Sequence, residues 1–134
     1  MAHVILGVFI VLHGLVHLLY FGQSRRLFEL QPGMQWPDAS WIFAKLSGNT
    51  IARDISSLVL LLITVGLVAG GVGVLARQPW ARWVVVAALA VSALLFLVMW
   101  DGTGQRLDQQ GGFAILIAAA IAVVLLVLRW PAID

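Results

Sequence analysis

The chain has 134 residues, of which 62% are hydrophobic and 10% carry a charge, whereas about a quarter of the residues in a soluble domain are charged. Its net charge is +2, it contains no cysteine, and its mean hydropathy is +1.03. This composition excludes a soluble enzyme, a disordered tail and a disulfide scaffold. Because the arginines form no basic stripe, it also excludes a nucleic-acid binder.

Four segments of 18 to 22 residues contain no Asp, Glu, Lys or Arg: residues 1–22, 55–76, 83–100 and 109–128. About 20 apolar residues are needed to cross a bilayer as a helix, and a helix satisfies its own backbone there. The pattern predicts an all-α integral membrane protein with four transmembrane helices in an up-down-up-down bundle. We expect a single membrane domain over 1–134, with helices at about 2–22, 51–76, 80–100 and 111–130.

The loop from residue 23 to residue 49 is the longest polar segment between the predicted helices. Pro32 and Gly33 indicate a turn, and Pro37 followed by a short apolar run predicts a helix of about two turns. Trp36 and Trp41 favour a helix that lies in the membrane interface. An ordinary connecting loop with tryptophan anchors is the alternative, since interfacial tryptophan is common.

The distribution of basic residues suggests an orientation in the cell membrane. The loop at residues 23–49 is loop 1, and the connection at residues 101–111 is loop 3. Five basic residues lie on the side of these two loops, against three on the opposite side: Arg25, Arg26, Lys45, Arg53 and Arg106, against Arg77, Arg82 and Arg129. The positive-inside rule then predicts a multi-pass protein with loops 1 and 3 in the cytoplasm.

Polar residues are concentrated toward the loop-1 and loop-3 side of the predicted bundle. His13 and His17 are four residues apart on helix 1, so they share a face, and Tyr20 continues that face. With helix 1 centred near Val11, His13 lies near mid-membrane and His17 roughly 9 Å toward loop 1. Ionisable groups in a membrane usually mark a functional site. The expected ligand-binding residues are His13, His17, Tyr20, Trp36, Trp41, Arg53, Asp54 and Asp101.

Three kinds of chemistry could use these residues. A quinone, lipid or other amphipathic molecule needs a hydrogen-bond donor in an apolar slot, which a histidine held by Asp54 would supply. A metal or haem site could use His13 and His17 as ligands. A small dimeric transporter could use a titratable histidine inside the membrane. The first of these is the leading hypothesis.

Residues 6–22, LGVFIVLHGLVHLLYFG, resemble the first helix of the DoxX family. The shared features are an apolar run that enters an H-G-L segment, a trailing F-G, and a similar size and four-helix layout. Where that family commonly has a lysine after the segment, this chain has His17. The resemblance implies a membrane protein associated with quinone-linked or thiol-stress oxidoreductase complexes, and thus a redox accessory subunit.

A second segment, GQRLD at residues 104–108, is similar to the small multidrug resistance family, whose members are four-helix dimeric exporters. The membrane glutamate of that family has no counterpart in helix 1, because the single glutamate of this chain is Glu29 in loop 1.

Glycines indicate where helices could approach one another closely. Gly66, Gly70 and Gly73 share a face of helix 2, and Gly7 and Gly14 are one heptad apart on helix 1. These faces fit packing within the bundle and equally a homodimer or a larger membrane complex. The expected partners are therefore the lipid bilayer, an amphipathic small molecule and other membrane chains, with no nucleic acid.

Overall fold

The computed structural model describes residues 1–38, 40–43, 49–104, 107 and 111–131. Within these ranges the regular structure is helical and no strand occurs, which confirms the all-α prediction. The helices are α1 (Ala2–Ser24), α2 (Asn49–Leu75), α3 (Ala81–Val98) and α4 (Gly112–Ala122), and a π-helical turn (Val123–Val127) continues α4.

Three of the four predicted spans are long and apolar enough to cross a membrane: Ala2–Ser24, Thr50–Leu75 and Ala81–Val98. The fourth apolar helix, Gly112–Val127, is shorter. At 1.5 Å per residue it covers about 24 Å, against about 30 Å of hydrocarbon in a typical bilayer. The helical residues end at Val127, and Arg129 beyond them has a left-handed backbone (φ 49°) that a helix does not accept.

Helices α1 and α2 run antiparallel and touch through glycine backbones. A Cβ on Gly71 would lie 2.9 Å from the carbonyl oxygen of Gly7, and a Cβ on Gly14 would lie 2.8 Å from the Cβ of Leu67. Neither position has room for a side chain, so glycine sets this spacing. The Oγ of Ser24 then donates to the carbonyl of Arg53 at 2.9 Å and joins the end of α1 to the start of α2.

Helices α3 and α4 continue the antiparallel order. The predicted glycine face of α2 packs on α3, since a Cβ on Gly70 would lie 2.5 Å from Val85 Cγ2 and one on Gly73 would lie 2.7 Å from the Cβ of Ala81. Gly111, just before α4, lies against the ring of Phe96. Within the chain, these glycines therefore serve packing between neighbouring helices.

Loop 1 differs in part from its prediction. Residues 36–38 and 41–42 form turns, whereas a helix was expected after Pro37. The rest of that expected helix falls partly on residues 39 and 44–48, which lie outside the described residues. Trp36 is 5% exposed and belongs to the core, not to the interface. The reason is its contact with aromatic rings of α1 and α3.

Much of the apolar surface of the helices faces outward. In the most apolar part of each long span, only 33% to 44% of the residues are buried inside the protein. Side chains more than half exposed include Leu12, Leu58, Leu62, Val65 and Leu94. Each Å² of such surface costs about 25 cal/mol in water, so the arrangement suits an apolar solvent.

The antiparallel order predicts which loops share a side. Because the chain has no cysteine, single cysteines at exposed Gln35, Gly104 and Gln78 can be labelled with a membrane-impermeant maleimide in intact vesicles. We expect Gln35→Cys and Gly104→Cys to react from the same side and Gln78→Cys from the opposite side. Reaction of Gln35→Cys and Gln78→Cys from one side would contradict this order.

Candidate functional site

His17 makes two hydrogen bonds, one within α1 and one that joins α1 to α3. Its Nδ1 lies 2.9 Å from the carbonyl oxygen of His13, and its Nε2 lies 2.8 Å from the Oγ of Ser92. A carbonyl can only accept, so Nδ1 carries the proton, and in the neutral ring Nε2 accepts from the Ser92 hydroxyl. The ring is 1% exposed. Both ring nitrogens are therefore used within the protein.

His13 lies one turn earlier and is 6% exposed. Its ring stands edge-on to that of His17, with centroids 4.9 Å apart, and stacks on Phe9 at 6.4 Å. Its buried Nε2 has no hydrogen-bond partner among the residues that the structure describes. An unpaired buried polar atom costs about 1–3 kcal/mol, so a hydrogen bond to this nitrogen would stabilise the protein.

Three aromatic rings extend this group toward loop 1. Phe96 of α3 lies 6.2 Å from His17, 4.9 Å from Tyr20 and 5.4 Å from Trp36, measured between ring centroids. Tyr20 and Trp36 meet edge to face at 5.2 Å. We call this set the His–aromatic cluster: His13, His17, Tyr20, Trp36, Ser92 and Phe96. The Nε1 of Trp36 is a second buried polar atom without a hydrogen-bond partner in the described ranges.

Gln23 holds Trp36 in place. This fully buried side chain donates from Nε2 to the carbonyls of Met34 and Trp36, at 3.0 and 3.3 Å, and accepts from the backbone N–H of Leu30 at 3.0 Å. The Gln23 side chain thus supplies hydrogen-bond partners to backbone groups of loop 1 that no helix or strand pairs. The end of α1 thereby fixes the loop residue that closes the cluster.

Asp38 and two arginines form a separate ionic group at the end of the helices. Arg53 donates from Nε and Nη2 to the two carboxylate oxygens of Asp38, at 2.8 and 2.6 Å, and Arg26 Nη2 lies 2.5 Å from the same carboxylate. Burial opposes ionisation of Asp38, but the hydrogen bonds from Arg53 and Arg26 outweigh it and hold the Asp38 pKa below its usual range.

Asp54 does not contact the histidines. It was expected to hold His17, but its carboxylate accepts from Arg25 Nη1 at 2.6 Å and its side chain is 60% exposed. The physical reason is position, since the end of α1 brings Arg25 beside Asp54 while Ser92 occupies the His17 nitrogen. Arg53 likewise binds Asp38 and lies apart from the cluster.

The remaining two predicted site residues organise loop 3 and its contact with loop 1. Asp101 accepts from the backbone N–H and the hydroxyl of Thr103, both at 2.8 Å. Trp41 is half exposed and donates from Nε1 to the carbonyl of Leu97 at 2.8 Å. The structure therefore brings together four of the eight predicted residues, His13, His17, Tyr20 and Trp36, and separates the other four from them.

Two members of the cluster escaped the sequence prediction. Ser92 is not among the predicted site residues, yet it is the partner of His17. Ser92 could have been recognised as a hydroxyl within an otherwise apolar helix, because such hydroxyls commonly form hydrogen bonds with a neighbouring helix. Phe96 follows Ser92 by one turn, and no sequence pattern distinguishes it from the other apolar residues of α3.

The described residues offer little to a metal ion. They contain no group of three or more His, Cys, Asp or Glu side chains placed to hold one. His17 would also have to give up a hydrogen bond to ligate, whereas His13 Nε2 is free to bind.

Comparisons with protein-family models, with curated proteins and with solved structures found no match to this chain.

The bond between Ser92 and His17 predicts a stability effect. Ser92→Ala leaves a buried imidazole nitrogen unpaired and should lower the free energy of unfolding by about 1–2 kcal/mol. SDS titration in mixed micelles, followed by tryptophan fluorescence, measures it. The matched control is Thr64→Val, because the Thr64 hydroxyl donates to the Leu60 carbonyl of its own helix. Equal effects of the two variants would contradict the interhelical role.

The Asp38 group predicts an acid limb in the stability profile. Because the folded-state pKa lies below the ordinary value of 3.8, ionised Asp38 stabilises the fold at neutral pH. This contribution is lost as pH falls below about 4 and through the folded-state pKa. Asp38→Asn should flatten the fall of Tm between about pH 5 and 2. The control is Asp54→Asn, which leaves Asp38 paired with both arginines and should show the same fall of Tm as the wild-type protein. An equal flattening of this fall in both variants would overturn the assignment to Asp38.

Proposed function

We propose that this chain is a multi-pass membrane protein that binds a quinone or another amphipathic small molecule at the His–aromatic cluster. The observation that carries the proposal is the unpaired Nε2 of buried His13 beside a fully hydrogen-bonded His17. The bilayer assignment is supported by three helices of spanning length and by the outward-facing leucines and valines.

The two histidines have different roles in this proposal. His17 is a positioning residue, because its hydrogen bonds to Ser92 and to the His13 carbonyl use both of its nitrogens. His13 is the ligand-binding residue. Its Nε2 can donate to a carbonyl oxygen in one neutral tautomer and accept from a hydroxyl in the other.

A quinone matches this bifunctional nitrogen. Its oxidised form presents carbonyl oxygens, which accept a hydrogen bond, and its reduced form presents hydroxyls, which can donate one. Tyr20, Trp36 and Phe96 offer ring faces and edges to a planar head group. The unpaired Nε1 of Trp36 supplies a second donor for an oxygen of the ligand.

The described chain provides binding groups without a catalytic set. It contains no cysteine and, within the described ranges, no cluster of metal ligands. We therefore place the protein as a redox accessory subunit that holds its ligand for another component. The DoxX resemblance of residues 6–22, which include both histidines, supports the same assignment. Loops 1 and 3 are proposed to face the cytoplasm, on the basis of their excess of basic residues.

The direct test is quinone binding in nanodiscs with decylubiquinone as the probe, measured by quenching of tryptophan fluorescence. His13→Leu should weaken binding by at least tenfold, or about 1.4 kcal/mol, because it removes the free nitrogen but keeps an apolar side chain. The matched control is His3→Leu on the same helix, where His3 lies at the far end beside Arg77. Equal affinities of the wild-type protein and both variants would overturn the proposal.

A further inference from the structure

A second polar site lies where α1 ends and α2 begins. A cavity of about 190 Å³ is lined by Ser24, Arg25, Arg26, Thr50, Arg53 and Asp54. A single ordered water needs only about 15 Å³. The cavity therefore has room for a group of several heavy atoms.

The lining carries more positive than negative charge. The lining residues include three arginines and one carboxylate, that of Asp54. A second carboxylate, that of Asp38, is not part of the lining and binds Arg53 and Arg26. The site thus holds a net positive charge of one with Asp38 included. An anion that entered the cavity could form charge-assisted hydrogen bonds with the lining arginines.

Several donors of these arginines are available for such an anion. Arg25 uses Nη1 on Asp54 and is 44% exposed, and Arg53 uses Nε and Nη2 on Asp38. Each guanidinium has five N–H donors, so both keep groups that can reach a phosphate.

The surface beside the cavity is apolar and exposed. Leu58 follows Asp54 by one turn on the same face of α2, and Leu62 and Val65 continue that face away from the cavity. Their side chains are 62%, 62% and 66% exposed. A ligand that fits both surfaces has a phosphate for the cavity and a hydrocarbon chain for these residues. An anionic phospholipid has both parts.

We propose that this arginine pocket binds the headgroup phosphate of an anionic phospholipid, with an acyl chain along Leu58, Leu62 and Val65. The assignment does not rest on the quinone proposal, because it uses none of the residues of the His–aromatic cluster. An Arg25–Asp54 pair at the rim lets Arg25 turn toward the phosphate without leaving a buried charge, since both side chains are exposed.

Native mass spectrometry of the whole delipidated protein in detergent tests the proposal. The probes are dioleoylphosphatidylglycerol, dioleoylphosphatidylcholine and inorganic phosphate. We expect the wild-type protein to bind phosphatidylglycerol in preference to phosphatidylcholine. Arg25→Gln/Asp54→Asn keeps the net charge of the chain and should weaken phosphatidylglycerol binding by about fivefold.

The matched control is Arg77→Gln at the opposite end, which removes one exposed arginine and should change binding by less than about twofold. Loss of binding in Arg77→Gln equal to that in the double variant would show a general charge effect and overturn the site. No loss of binding in the double variant would also overturn it.

Displacement of the lipid by equimolar inorganic phosphate would assign the pocket to free phosphate and overturn the lipid assignment. His13→Leu should bind phosphatidylglycerol like the wild-type protein, so this proposal and the quinone proposal can fail separately.

Discussion

The hydrogen bonds of His17 are the constraint on which the rest of this structure depends. In an apolar surrounding, a ring nitrogen cannot turn to water, so each nitrogen needs a partner within the protein. Ser92 of α3 and the His13 carbonyl provide these partners. The bond to Ser92 links α1 to α3, and Phe96 and Tyr20 are in contact about one turn further along these helices.

The same constraint separates the cluster from the charged end of the helices. Carboxylates and guanidiniums pair with each other where the helices end, as Arg25 does with Asp54 and Arg53 with Asp38. The histidines lie deeper among apolar and aromatic groups. The result is two polar layers with different chemistry, a neutral one suited to a carbonyl or hydroxyl ligand and a charged one suited to an anion.

The sequence predicted most of the helices but less of the site. Apolar spans free of charge located α1, α2 and α3 to within a few residues, because long apolar runs bounded by polar residues indicate where such helices begin and end. Helical spacing correctly placed His13 and His17 on one face. It could not find their partners, since contacts between helices depend on packing offsets set by close approaches such as Gly7 on Gly71.

The wrong pairing of Asp54 with His17 shows the limit of arguments from depth alone. Asp54 and Arg25 lie at the same level on adjacent helices, and an exposed ion pair keeps both groups near water. A histidine at greater depth finds a hydroxyl instead. Gln23 was not predicted to have a role, because no motif surrounds it in the sequence. Its side chain nevertheless forms hydrogen bonds with the backbone of Leu30, Met34 and Trp36.

The state of His17 is the most direct test of the central claim, that its hydrogen bonds are complete while His13 keeps a free nitrogen. Solid-state NMR of ¹⁵N-histidine-labelled protein in lipid reports the protonation of each ring nitrogen, with His17→Asn assigning the signal. The account predicts a neutral His17 with a protonated Nδ1 and an unprotonated Nε2 that is coupled to Ser92. A His17 with the proton on Nε2 would contradict it.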